Sequence, residues 1–292
     1  IKPDCTAGHS YGEVTALFAA GLVVEENFFK ISHQRGQLMD DCSRQIPGAM
    51  LAIATDVSMT TSLLEKYELD LVIANQNSPQ QTVLSGSEET IQEAETLFKK
   101  DGVKVKRLPT KTAFHSPLVS EASRPFTEWL QKIPFQPLTL PVWANATAKE
   151  YPNNEKTIKI MLGEQLEKPV KFQELIENMY ENGIRTFIEV GPGSILSGLI
   201  EDCLPDKPHH IITLNKKGKE DRVTLLEALG HIFVTGIPIH FSPLWSPFAL
   251  PLRQEPKSKF SVPINGGNYN KRYPRNPEVQ ILPPFKPKEM LS

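Results

Sequence analysis

Gly8-His9-Ser10-Tyr11-Gly12 is the stretch of this chain whose residue types and spacing most directly imply chemistry. It fits G-x-S-x-G, the sharp strand-to-helix turn that lifts a serine oxygen clear of a sheet. Glycines at the outer positions suit places where backbone and substrate come too close for a side chain. The same turn sets the Tyr11 backbone N–H at a helix N-terminus, where it can stabilise an oxyanion together with the helix dipole. A serine at its free pKa is a poor nucleophile and needs a base, so the seven histidines must be asked which one could reach it. His115 is the candidate, because it lies in a turn, Thr112-Ala113-Phe114-His115-Ser116-Pro117, from which a side chain could face a cleft. His9 is tied to the nucleophile turn itself, as a structural residue or one that borders the bound substrate. His33, His209, His210, His231 and His240 fall in helical or linker context.

These residues need elements to carry them. A short strand should end near Gly8, and Val14, Leu17, Phe18 and Leu22 recur at helical spacing behind it, with Gly21 as the stop. A second helix should open at Glu25 and Glu26, whose charges suit the positive end of its dipole, and run to Cys42. After Pro47 and Gly48 the pattern changes to strand Ala49 to Ala54, helix Met59 to Glu68, strands Asp70 to Asn75 and Thr82 to Ser85, helix Glu88 to Lys100 and strand Val103 to Leu108. That β-α-β-β-α-β order is the ferredoxin-like arrangement and predicts a subdomain over residues 46–112. Alternation then resumes: helix Val119 to Lys132, strand Leu140 to Ala144, helix Val170 to Asn182, strand Thr186 to Val190 and helix Ser194 to Glu201. The expected fold class is therefore α/β, with a mostly parallel, hydrolase-like sheet over residues 1–45 and 113–205 and the small subdomain inserted into it. Prolines become dense from Trp245, and residues 206–292 read as a linker or wrapping segment.

Composition excludes several classes. A net charge of −2 and no basic stripe argue against nucleic acid, since the one local excess, eight Lys/Arg against three Glu in the last 43 residues, reads as a solvated linker. Cys5, Cys42 and Cys203 are odd in number and lack metal spacing, so neither a disulfide framework nor a zinc site is supported. Apolar runs are too short to cross a membrane. A cytoplasmic setting is the expectation. The chain opens at Ile1, nine residues before Ser10, as a chain starting inside a fold would.

Four motifs in order make a resemblance specific. Gly8-His9-Ser10-Tyr11-Gly12-Glu13, Gln34-Arg35-Gly36-Gln37, Ala113-Phe114-His115-Ser116 and Glu189-Val190-Gly191-Pro192-Gly193 together resemble the malonyl-CoA:acyl carrier protein transacylase family, which includes the acyltransferase domains of polyketide synthases. The similarity covers about Ile1 to Asp206, and Ala7 to Leu22 and Phe114 to Val119 are nearest in kind to iterative and polyunsaturated-fatty-acid-type synthases. The resemblance implies a Ser10/His115 dyad, double displacement through an acyl-serine, and an arginine, Arg35, that holds the malonyl carboxylate. Read from the residues alone, Arg35 is equally a solvated helix residue. The resemblance also implies that the base is oriented by a main-chain carbonyl, at Gln165, whose side chain then matters little. Phe114 looks like the malonyl-preferring form of the specificity motif, its ring crowding an α-methyl group. Asn77-Ser78-Pro79-Gln80-Gln81-Thr82 either borders the cleft, as in the family, or is an ordinary turn. Nothing in the chain matches the glycine- and glutamine-rich turn with which the family begins, and which helps to form its oxyanion hole. Implied partners are malonyl-CoA, an acyl carrier protein and neighbouring synthase domains. The CoA thioester and the carrier's phosphopantetheine are the only cofactor-like groups implied, with nothing bound tightly. A serine hydrolase and a non-catalytic scaffold fragment remain the other readings.

Overall fold

The computed structural model of the chain describes residues 1–246. Strand β1 (Thr6–Ala7) leads through the Gly8–Gly12 turn into helix α1 (Gly12–Ala19), which ends where Gly21 takes a left-handed φ of +83°. Helix α2 (Glu25–Gln45) follows with an apolar stripe at Ile31, Met39 and Cys42, and the stripe includes Arg35. That register decides the site, because a guanidinium on the core-facing line of a helix is carried inward instead of into water.

Strands β2 (Gly48–Ile53), β3 (Val72–Ser78), β4 (Gln81–Ser87) and β5 (Val105–Arg107), with helices α3 (Val57–Lys66) and α4 (Glu88–Lys100), form the inserted subdomain. Its sheet has the order β3-β4-β2-β5, antiparallel throughout, which is the ferredoxin-like topology. Local chemistry explains α4: Ser87 accepts the Thr90 N–H, Glu88 and Glu89 occupy the first turn, Lys99 and Lys100 the last, and Ile91, Ala94 and Phe98 face inward. The subdomain is tied to the rest by a parallel bridge, in which Gln76 donates to the Val170 carbonyl at 2.8 Å and Val170 to that of Ala74 at 2.8 Å.

The chain then builds α5 (Ser120–Leu130), β6 (Val142–Ala144), β7 (Lys149–Glu150), α6 (Glu155–Glu164), α7 (Phe172–Glu181), β8 (Thr186–Glu189) and α8 (Ile195–Cys203). Strand β6 runs parallel to β1, pairing Thr6 with Val142 and Ala7 with Trp143. Their two C-terminal ends therefore lie side by side, the place where open α/β sheets form their sites. Leu17, Ile31, Phe126, Leu130, Ile158 and Leu162 make one core beneath the turn.

Two segments depart from expectation. Helix α6 falls in a stretch to which the sequence pattern assigns no element; Asn154 caps it by accepting the Thr157 N–H at 2.9 Å, and Ile158, Lys159, Leu162 and Gly163 are its buried residues. Residues 206–240, expected as linker, instead belong to the same compact unit as the residues before them, Ile1–His240. Strand β9 (His210–Thr213) pairs in parallel with β8, and helix α9 (Asp221–Val234) packs Ala228 and Ile232 with Ile212. A second unit begins at Phe241, and its described part is one short helix, α10 (Ser242–Trp245). The proline-dense stretch from 247 onward, read as a linker, lies outside the described residues.

Candidate active site

The Gly8–Gly12 turn is tight enough to exclude a side chain at one glycine but not the other. A Cβ on Gly8 would sit 2.0 Å from the Gly12 carbonyl carbon and 2.4 Å from the Glu13 nitrogen, so strand exit and helix start touch there. Beside Gly12 there is nothing within 4 Å, so the expectation of a close approach holds for Gly8 alone. Ser10 itself has φ +53°, a left-handed conformation that costs a non-glycine residue about 1–3 kcal/mol and persists only when neighbours hold it. Asn145, at the end of β6, does so: its Oδ1 accepts the Ser10 N–H at 2.6 Å and its Nδ2 donates to the Gly8 carbonyl at 2.5 Å. The N–H groups of Gly12, Glu13 and Val14 bond back to His9, Ser10 and Tyr11. The Tyr11 N–H makes no hydrogen bond among the described residues, and this is the donor expected at an oxyanion.

His115 comes to Ser10 from the turn after the subdomain, with Nε2 2.7 Å from Ser10 Oγ. Its Nδ1 faces two main-chain carbonyls, Gln165 at 3.1 Å and Lys168 at 3.0 Å. Carbonyl oxygens only accept, so the ring proton resides on Nδ1 and the Nε2 lone pair is turned toward the serine hydroxyl. Burial, with the charge of Arg35 and the nearby His9, pushes the imidazole down from 6.5 to about 4, and the two carbonyls oppose that shift. The ring is therefore neutral at pH 7. Gln165 was expected to offer its carbonyl; the second one, on Lys168, was not expected.

Arg35 reaches the same place from α2 and is buried to 8% exposure. Burial pulls its guanidinium down to about 10, opposed by the charges of Glu13 and Tyr11, so it keeps its charge at neutral pH. Nη2 donates to Gln165 Oε1 at 3.3 Å, Cζ lies 5.6 Å from the centre of the Tyr11 ring, and the buried Nε has no partner among the described residues. A buried cation with unused donors is costly unless an anion completes it. The Gln165 side chain, expected to matter little, bridges the site: besides holding Arg35, its Nε2 donates to the Ser10 carbonyl at 2.8 Å.

The remaining candidates lie further from the reacting atoms. His9 Nε2 bonds to Asn77 Oδ1 at 2.7 Å and the ring packs edge-on against Phe172, so its side chain ties the turn to β3 of the subdomain. Asn77 in turn donates to Gln81 at 2.8 Å. Phe114 is half-buried at the seam of the two lobes, packed with Met50, Ala74 and Val83 on one side and against the main core on the other. Sequence reasoning missed Asn145 and gave Glu13 no role. Glu13 is 1% exposed and accepts from Tyr151 Oη–H and from the Asn145 N–H. The available signal was a polar residue directly after an apolar strand, Val142-Trp143-Ala144-Asn145, and an acidic residue on the apolar side of α1. Among the described residues no group of His, Cys, Asp or Glu could hold a metal, and no helix is long and apolar enough to cross a membrane.

Known proteins resemble this chain in sequence and in fold. The chain is 30% identical over 277 residues to a polyunsaturated fatty acid synthase subunit of Thraustochytrium sp., a match covering 92% of this chain but 10% of that protein. It is 37% identical over 204 residues to a polyketide biosynthesis malonyl CoA-acyl carrier protein transacylase of Bacillus velezensis, covering 68% of this chain and 69% of that one. Among solved structures, the malonyl CoA-acyl carrier protein transacylase of Coxiella burnetii superposes with a TM-score of 0.70 at 33% identity, over 78% of this chain and 72% of that one. The acyltransferase domain from the second module of the salinomycin polyketide synthase does so with a TM-score of 0.75 at 25% identity, over 86% and 60%. The family model described as "Acyl transferase domain" matches residues 1–239, from β1 through α9. The chain belongs to that acyl transferase family, which carries the transacylases and synthase acyltransferase domains it resembles.

Proposed function

We propose that this chain moves a malonyl group from CoA to the phosphopantetheine thiol of an acyl carrier protein, through an ester on Ser10, as part of a polyketide or fatty acid synthase. The observation that carries this reading is the 2.7 Å contact between Ser10 Oγ and an imidazole whose other nitrogen is committed to two carbonyls. His115 Nε2 takes the serine proton as Oγ attacks the thioester carbonyl. The tetrahedral oxyanion accepts the Tyr11 N–H. Collapse expels the CoA thiolate, which recovers the proton from His115. The carrier's thiol then enters, gives its proton to His115 and attacks the acyl-serine, and Ser10 leaves with that proton. In each half-reaction the imidazolium is stabilised by the Gln165 and Lys168 carbonyls in place of a carboxylate. Such double displacement gives ping-pong kinetics.

Arg35 gives the reading its substrate. A guanidinium with a buried, unpartnered Nε suits a carboxylate, which can accept two parallel charge-assisted bonds. Seating a carboxylate there also offsets the part of the His115 depression that comes from the Arg35 charge, beside the larger part set by burial, so the correct substrate makes its own base stronger. No metal or tightly held cofactor enters any step. Phe114, at the lobe seam, is the group proposed to crowd an α-methyl, a discrimination of about 1–3 kcal/mol. The carrier protein and neighbouring synthase domains as partners are supported by the kinds of protein the chain resembles.

The test is Arg35→Ala. Truncating one partner of a buried charged pair costs about 2–5 kcal/mol, so kcat/KM for malonyl-CoA should fall by about 30-fold or more while that for acetyl-CoA holds or rises. Unchanged malonyl preference would remove Arg35 from the reading.

A further inference from the structure

Beneath the nucleophile turn lies a carboxyl group that the acyl-transfer steps do not use. Glu13, in the first turn of α1, is 1% exposed, where an acidic residue is almost never found without partners. One oxygen accepts from the Tyr151 hydroxyl and the other from the Asn145 backbone N–H at 3.0 Å, and the Gln165 amide is close enough to favour the charged carboxylate. The titratable groups facing it are Tyr151, on the segment after β7, and Arg35, on α2. All of these neighbours donate or carry positive charge, so the place is built for acceptor oxygens.

Two of the neighbours are themselves the clamps on Ser10. Asn145 holds the Ser10 N–H and the Gly8 carbonyl; Gln165 holds the Ser10 carbonyl and orients His115. The strained φ of Ser10 makes its alignment depend on such clamps. We propose that Glu13 is a positioning residue: by holding Asn145 through its backbone N–H, with the Gln165 amide beside it, it keeps Ser10 Oγ in line with His115 Nε2 and sets the serine's reactivity without touching substrate. The proposal rests on the reading of Ser10 as the nucleophile. Burial pushing the Glu13 carboxyl up to about 7, against the pull of its donors, fits a group kept for its contacts.

Glu13→Gln keeps the volume but turns an N–H2 toward groups that are already donors. The discriminating readout is the rate at which Ser10 is labelled by a small uncharged fluorophosphonate, which needs the serine and its base but not Arg35. Labelling and kcat for malonyl-CoA should fall together by about tenfold or more, with KM changed by less than about threefold, as misplacement of a reacting group does. Labelling within about twofold of wild type in folded Glu13→Gln protein overturns the proposal. Should that variant not fold, Tyr151→Phe keeps the carboxylate and removes one donor; labelling slowed about threefold supports the proposal and an unchanged rate overturns it. A wild-type protein that is not labelled overturns the Ser10 reading and this proposal together. Equal labelling of wild type and both variants overturns this proposal alone.

Discussion

At the scale of single residues, the account turns on a histidine whose proton has an assigned place. Two carbonyls hold the Nδ1 proton of His115, and burial with the Arg35 charge keeps the ring neutral down to a pH of about 4. The sign follows: protonation stops catalysis, and a lowered pKa moves that loss to more acid conditions. In Glu13→Gln protein, which lacks the carboxyl pushed up to about 7, kcat/KM, which reports the free enzyme, should therefore stay level from pH 8 to about 5 and fall only as pH approaches 4. An acid limb near the ordinary histidine value of 6.5 that persists in Glu13→Gln protein, where the carboxyl pushed up to about 7 is gone, would show that the ring is not buried as described. Ser10 and His115 were legible because motif and turn both mark them. Asn145 was not, because its role is a contact across 135 residues of sequence that depends on β1 and β6 lying side by side.

At the scale of elements, the turn and two helices do the positioning. The glycines of G-x-S-x-G look equivalent in sequence, yet only Gly8 meets backbone. Gly8→Ala should lower stability by about 3 kcal/mol or more, since the strand exit would have to move away from the start of α1. Gly12→Ala, in open space at the first helical residue, should be neutral or stabilise by up to about 1 kcal/mol. Urea midpoints of the two variants check this, and equal losses would contradict it. Helix α4 could be read to the residue because its cap, its terminal charges and its apolar face agree. For α2 the extent was legible but the depth of Arg35 was not used, although Ile31, Arg35, Met39 and Cys42 share one face. An arginine in step with an apolar stripe is a sequence signal of a buried cation. Helix α6 was missed because its buried face, Ile158, Lys159, Leu162 and Gly163, has only two large apolar residues and includes a lysine.

At the scale of the molecule, the small subdomain and the α/β lobe meet where the site is built. Asn75 and Asn77 come from one lobe, and Ser10, Arg35, Gln165 and Val170 from the other, joined by the Asn75–Val170 bridge. The inserted subdomain was visible in the sequence as a strand and helix order that specifies its own sheet. The far end was not, because proline density after Trp245 drew attention from His210-Ile211-Ile212-Thr213, a short strand that matters only once β8 is beside it. Deleting everything after residue 205 should therefore destabilise the protein, since Ile212 and Ile232 alone contribute about 2 kcal/mol each by burial; a lowered melting temperature is expected, and an unchanged one would return that segment to a linker. The claim on which all three scales depend is that Ser10 carries the acyl group. Intact-mass measurement after brief exposure to a mixture of malonyl-, methylmalonyl- and acetyl-CoA tests it directly. The account predicts one malonyl adduct on the wild-type protein and none on Ser10→Ala. No adduct on wild type, or an adduct that survives the loss of Ser10, would contradict it.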